Sequence, residues 1–185
     1  MNAAVFDVTT RDEIVVDTSA GGRTTFRNAG RTRRDGFEFS AEKQFDAGFD
    51  VQLAYTRLRA IYSDAFLAIA SGNRMPGVPG MQLYGQLRWR HAPSGFVAAF
   101  EVLRRGRVAV DDPNSEFADA STVANLALGF SQQGSRWKLS EFLRVDNLSD
   151  RNYAGSVIVN DGNRRFYESA PRRNMALGVQ ATLEL

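Results

Sequence analysis

The chain has 185 residues, 24% of them charged, with a net charge of +2, no cysteine and a single histidine, His91. This is length enough for one domain with its own core, and it excludes a disulfide framework, a thiolate metal site and any histidine cluster. The pI of 9.2 would suit nucleic acid, but the arginines are scattered through strand-like segments and form no basic stripe, so no nucleic-acid partner is expected.

Met1 to Thr10 lack a basic start followed by an apolar core, so no signal peptide is read there. No apolar run approaches the ~20 residues of a transmembrane helix; a transmembrane strand needs only about 9–11, every second one apolar. Period-two alternation predicts about eight strands, near residues 3–16, 24–45, 48–61, 80–91, 95–108, 121–132, 136–147 and 173–185, with bends or bulges allowed in the first two. In the second, Phe37, Phe39, Ala41 and Phe45 face away from Glu38, Ser40, Glu42 and Gln44. In the third, Phe49, Val51, Leu53 and Tyr55 oppose Asp50, Gln52 and Thr56; in the fourth, Met81, Leu83, Leu87 and Trp89 oppose Gln82, Tyr84, Gln86, Arg88 and Arg90. Trp137, Leu139, Leu143 and Val145 alternate with Lys138, Ser140, Arg144 and Asp146, while Glu141 and Phe142 break the pattern. The last strand is the clearest, with Met175, Leu177, Val179, Ala181, Leu183 and Leu185 on one face.

Short connections at Asp46-Ala47-Gly48, Ala92-Pro93-Ser94-Gly95 and Gln132-Gln133-Gly134-Ser135 alternate with long ones around 17–23, 62–79, 109–120 and 148–172. Short turns at one end and long loops at the other mark an outer-membrane barrel, whereas a sandwich mixes turn lengths at both ends. Phe37, Phe45, Phe49, Tyr55, Trp89, Phe96, Phe130 and Trp137 are placed to form interfacial girdles. The expected fold is all-β: antiparallel transmembrane barrel strands with short periplasmic turns and long outer loops.

Val145, Asn147, Leu148, Asp150 and Tyr153 form a V-x-N-L-x-D-x-x-Y pattern. It resembles the penultimate strand and following loop of TonB-dependent outer-membrane receptors of the siderophore-receptor type. Ala154–Asn160 and Pro171–Asn174 resemble the family's last loop and the start of its final strand, and Asn28-Ala29-Gly30 through Gly36-Phe37-Glu38 resembles its descent into the barrel. The resemblance implies an importer in the cell outer membrane, a roughly 22-stranded barrel closed by an N-terminal plug. TonB would pull on that plug, and the cargo would be a ferric siderophore, cobalamin, a metal or a sugar. Residues 1–185 would then be the C-terminal barrel segment, with plug and signal peptide elsewhere. The family usually ends on an aromatic residue; here the last residue is Leu185.

No catalytic constellation, metal site or cofactor is read from the residues. Asp111-Asp112-Pro113-Asn114 lacks the further ligands of a calcium loop and is expected to be solvated. Asn147 and Asp150 are expected to satisfy backbone groups where the strand leaves the sheet. Arg164, Arg165 and Tyr167, mid-loop, are candidate ligand contacts. The arginines at 31, 33, 34, 57, 59, 104, 105, 107, 164, 165, 172 and 173 either meet lipopolysaccharide phosphates or line the mouth for an anionic chelate. Two alternatives remain open: a self-contained eight-stranded barrel serving as adhesin or structural protein, and a soluble β-barrel binder.

Overall fold

Period-two alternation gives each strand one apolar and one polar face, and such strands can only share a sheet if their faces agree. In the computed structural model, which describes residues 1–183, they do in all the wall strands but the first, whose Phe6 and Val8 share the inner face with Gly36 and Arg34. In chain order the strands are β1 (Asn2–Arg11), β2 (Ile14–Ala20), β3 (Arg23–Asn28), β4 (Arg31–Gln44), β5 (Phe49–Tyr62), β6 (Met81–His91) and β7 (Phe96–Arg105). There follow β8 (Val108–Ala109), β9 (Phe117–Ala118), β10 (Ser121–Gln133), β11 (Trp137–Asp146), β12 (Ala154–Val157), β13 (Tyr167–Ser169) and β14 (Asn174–Leu183). Eight form one antiparallel wall in the order β1-β4-β5-β6-β7-β10-β11-β14. The other six make three hairpins, β2-β3, β8-β9 and β12-β13, in the connections at one end. Among the described residues β1 and β14 do not pair with each other, so the wall is open and is not a small closed barrel. The expected strand ending at residue 185 and the question of Leu185 lie in part outside the described residues.

The first two expected strands, in which bends or bulges are allowed, each divide into two. The segment 3–16 breaks at Asp12, whose backbone is left-handed (φ 54°), into β1 and β2. The segment 24–45 breaks at Ala29-Gly30 into β3 and β4. The expected long loop 17–23 is a tight hairpin turn at Gly21-Gly22, both at positive φ. The three short turns stand where expected, and two depend on glycine. At Gly48 (φ +83°) a β-carbon would stand 2.0 Å from the Arg90 carbonyl, and at Gly95 (φ +73°) 1.9 Å from that of Ser131. Neither the conformation nor the space admits a side chain.

The pairing register carries the faces around the wall. Ser40 pairs Ala54, Gln52 pairs Gln86, Gln86 pairs Glu101, Asn125 pairs Glu101 and Ser140 pairs Gln180, all on the inner face. Phe39, Tyr55, Leu83, Phe100, Leu126, Val145 and Met175 belong to the outer face. That outer face is uncovered: Leu177 is 77% exposed, Val179 67% and Leu183 75%. The buried residues lie instead at the long-loop end, where Tyr62, Ile69 and Met75 form one cluster and Val108, Val110 and Phe166 another. A wall apolar outside, joined to a packed cap of loops, is inverted for water and suited to a bilayer, where hydrocarbon covers the strands. At the short-turn end the outer face carries Phe49, Trp89 and Phe96, ring centroids 6.1 and 5.9 Å apart along the row. Phe37 and Tyr55 pair at the upper border of the apolar surface, and Phe45 lies in the turn beyond β4.

The break at Glu141 and Phe142 is not a bulge. β11 pairs residue for residue with both neighbours, so Glu141 faces outward and Phe142 inward. The Phe142 ring lies over Gly178, where a β-carbon would meet it at 2.1 Å, so the glycine leaves room for the ring.

Candidate functional site

The loops fold into one cap because their few buried polar groups find each other. Asp112, nearly fully buried, accepts hydrogen bonds from the Tyr62 hydroxyl (2.5 Å), the Arg27 guanidinium (2.8 Å) and the Asn160 amide (3.0 Å). Burial first, and then the adjoining Asp112 carboxylate, push the Tyr62 hydroxyl far above the usual phenol range, so it remains a donor. Arg27 also pairs with Asp17 at 2.9 Å. The Asn73 amide donates to the Asp112 carbonyl at 2.9 Å. Asp112, through its carboxylate and its carbonyl, thereby ties together β3, the end of β5 and the connections 62–79, 109–120 and 148–172. Glu13 makes a second tie, accepting from Arg34 and Thr32, and the Arg34 bond holds its carboxyl below the usual range. Asp111 is drawn in too, accepting from the Ser115 amide at 2.8 Å and the Ser115 hydroxyl. The expected solvated loop 111–114 is therefore a structural corner, because three other connections converge on it.

Asn147 ends β11 with left-handed backbone (φ 54°) and is 2% exposed. Its amide nitrogen donates to the carbonyls of Arg151 (2.8 Å) and Pro171 (3.3 Å), and its side-chain oxygen accepts from the Arg151 N–H (2.9 Å). Its own N–H donates to Asn125 Oδ1 at 3.0 Å, and the Leu148 N–H to the Ala124 carbonyl at 2.8 Å. Asp150 accepts a bidentate pair from Arg172 (2.8 and 3.0 Å) and the Arg173 N–H (3.0 Å). Val145 stays in the wall on the outer face, and Tyr153 carries the chain toward β12, its carbonyl accepting from the Ala170 N–H. The motif thus fastens the last outer connection at both ends.

The Arg172 guanidinium, and next the Arg173 N–H, hold the Asp150 carboxyl well below the usual aspartate range. A depressed carboxylate stabilises the fold fully above its unfolded value and loses that contribution as pH falls through the lowered folded one. The gap in urea midpoint between the wild type and Asp150→Asn is therefore expected to stay constant from neutral pH to about 5, and to shrink below about 4. A gap that changes between pH 5 and 8 would contradict this.

Beneath the last connection, on the inner face, lies a cavity of about 550 Å³. Tyr84, Leu103, Val123, Tyr153 and Pro171 give it apolar and aromatic walls, with Arg105, Asn125 and Asp146 as polar points. Arg105 is held by the carbonyls of Ala154 and Gly155. Below it the Glu101 carboxylate accepts from Gln86 (3.0 Å), Arg144 (3.0 Å) and Asn125 (3.3 Å), and Arg144 also reaches Asp146 at 2.9 Å. An aromatic cleft above a band of fixed polar groups can take a flat or amphipathic group entering from the loop side.

Arg164, Arg165 and Tyr167 are not part of this cavity. Arg164 (3.1 Å) and the Tyr167 hydroxyl (3.0 Å) both reach Glu116, joining the β12-β13 hairpin to β9, and the Arg165 N–H donates to Asp161 at 2.7 Å. Arg164 borders a separate cleft with Asp17, Asp111 and Asp161. Residues missed from the sequence are Tyr62, Asp112 and Asn160, and the cavity-lining Tyr84, Leu103 and Val123.

A family model described as TonB dependent receptor-like, beta-barrel, matches residues 1–148. Among solved structures the chain is similar to the ferric yersiniabactin uptake receptor FyuA from Yersinia pestis, with TM-score 0.75 and 23% identity over 98% of this chain and 27% of that one. It is similar also to the siderophore receptor PiuA from Acinetobacter baumannii, with TM-score 0.75 and 20% identity over 97% and 25%. The copper transporter OprC matches at TM-score 0.67 and 17% identity over 98% and 28%. The chain spans about a quarter of the structures it matches. With its family model, its antiparallel wall and its outward apolar face in agreement, the chain belongs to the TonB-dependent receptor-like β-barrel family.

Proposed function

We propose that the chain is the C-terminal part of the wall of an outer-membrane importer for a scarce nutrient, a ferric siderophore before others. The observation that carries this is the pairing of an uncovered apolar outer face with a polar inner face that ends in a stapled loop cap and an aromatic cavity. In this reading the plug and the TonB contact lie in sequence beyond these residues, and the plug rests against the inner face around Glu101 and Arg144. The cavity beneath residues 148–172, together with Arg164, Arg165 and Tyr167 higher in the cap, forms one side of the path for cargo. The printed roles of FyuA and PiuA support an iron chelate, and OprC makes copper the competing cargo.

The test is uptake in native cells with the gene deleted and restored. Loss of radio-iron uptake from a ferric siderophore, restored by the gene only where TonB is present, is the expected result. Unchanged iron uptake with lost copper uptake would replace the cargo. A chain recovered in the soluble fraction would end the reading.

A further inference from the structure

The break in the alternation of β11 sets a charge where the outer face is otherwise apolar. Glu141 pairs with Phe130 on β10 and Val179 on β14, with Leu139 below it and Leu143 above. Among the described residues it is the one charged group on the outer face of β10, β11 and β14. It lies four residues above Trp137 at the short turn, about 14 Å along the strand, or roughly 10 Å of height at a ~40° tilt. The apolar band of such walls is ~25 Å tall, so the carboxylate stands well inside it. A glutamate stem is too short to carry its charge out to the headgroups. Among the described residues the side-chain bonds of β11 belong to the inward-facing Ser140, Arg144 and Asp146, and none reaches Glu141.

The same face carries the complementary charge. Lys43 is exposed on the outer face of β4, paired with Val51, which stands two residues above Phe49, or roughly 5 Å of height. Its ammonium lies 5.8 Å from the centroid of the Phe45 ring. Among the described residues no carboxylate is within salt-bridge distance of it, since Asp50 faces inward to Arg88 at 2.9 Å. Below the level of Arg57 and Arg104, Lys43 and Glu141 are the charged strand residues of the described outer face. The long lysine stem spans the ~5 Å between their heights. Five strand spacings separate β4 from β11, about 24 Å across the wall, so the two do not meet within one copy.

We propose that the outer face around Glu141 docks a second copy of this chain, with Lys43 of the neighbouring copy meeting the carboxylate. A two-fold contact centred here would set Glu141 against Glu141, and like charges directly opposed repel. The copies therefore join head to tail, β10-β11 of one against β4-β5 of the next. In water such a pair gains little, because both charges give up hydration. Inside the apolar band there is no water to give up, and pairing satisfies groups that acyl chains leave without a partner. Leu139, Leu143 and Phe130 around the carboxylate, and Ala41 and Phe45 beside the ammonium, form apolar rims that close over the pair. The proposal rests on the outer-membrane reading above but not on the cargo.

The experiment places one cysteine beside each charge in the full-length protein and oxidises native outer membranes; residues 1–185 themselves carry no cysteine. Ala41→Cys and Leu139→Cys proteins expressed together are expected to give a cross-linked product of twice the protein's mass, and either one alone to give little. Adding Glu141→Lys to the Leu139→Cys protein is expected to lower the yield on the order of tenfold, by setting it against Lys43. Adding Lys43→Glu to the Ala41→Cys protein as well is expected to restore it. Heat-modifiable migration checks that each variant is folded, and the cross-link between the two cysteine proteins with native charges stands even where a charge variant is not. An equal yield from Leu139→Cys alone, a product of another mass, or a folded Glu141→Lys protein that cross-links as before overturns the proposal. Fractionation and iron uptake are measured in the same strains. Recovery in the soluble fraction refutes the membrane reading, lost uptake with an intact cross-link refutes only the cargo, and an inserted, importing protein that does not cross-link refutes only this surface.

Discussion

Asn147→Ala is expected to destabilise the folded wall by about 3 kcal/mol, the larger part from buried backbone groups left without partners. The Asn147 amide is the donor shared by the carbonyls of Arg151 and Pro171, and its oxygen the acceptor for the Arg151 N–H. Alanine removes all three bonds at a site only 2% exposed, so water does not replace them freely. It also meets a left-handed backbone that asparagine adopts at lower cost than alanine, a further ~1 kcal/mol. The two contributions separate by substitution. Asn147→Gly restores the backbone freedom and is expected to recover about 1 kcal/mol of the loss, while the hydrogen-bond part stays lost. Urea titration followed by heat-modifiable migration measures all three proteins. Equal midpoints for wild type and Asn147→Ala would show that the turn holds without its side chain. Equal midpoints for the Ala and Gly variants would show that the backbone conformation costs nothing.

The wall was legible because its chemistry repeats every two residues. The outer-face series from Met175 to Leu183 and the short turns at Gly48 and Gly95 could be placed from residue types alone. What the sequence hid was direction. The alternation of β1 runs on into β2 through Asp12, so a change of course at one left-handed residue leaves no trace in the period. Strands of two to four residues, such as β8, β9 and β12, are too short to display a period at all. Neighbouring arginines could not be sorted, since which of Arg104 and Arg105 faces outward depends on pairing with Leu83 and Gln82. The hinge at Asn147 was visible as a local motif whose partners lie mostly within the same connection. The cap was not, because Asp112 meets partners 85, 50 and 48 residues away, and no local pattern announces contacts at that range.

That same carboxylate carries the second large effect. Asp112→Ala is expected to cost about 3–5 kcal/mol of local stability, confined to the cap. It leaves the Arg27 guanidinium with Asp17 alone and the buried Tyr62 hydroxyl and Asn160 amide without their shared acceptor. Apart from Tyr62 at the upper end of β5, the strands of the wall do not depend on it, since their ladders and outer-face contacts lie below, so heat-modifiable migration is expected to persist. Limited proteolysis should separate the two layers: cleavage within 62–79 and 109–120 rises at least tenfold in Asp112→Ala, with no new cuts in β5, β6 or β7. Asp112→Asn keeps an acceptor for Tyr62 but not the charge for Arg27, and belongs between the two. If the cap forms the outer side of the cargo path, loosening it weakens cargo binding while the protein remains inserted. Unchanged loop cleavage in Asp112→Ala would mean that the apolar clusters around Tyr62 and Val110 hold the cap by themselves.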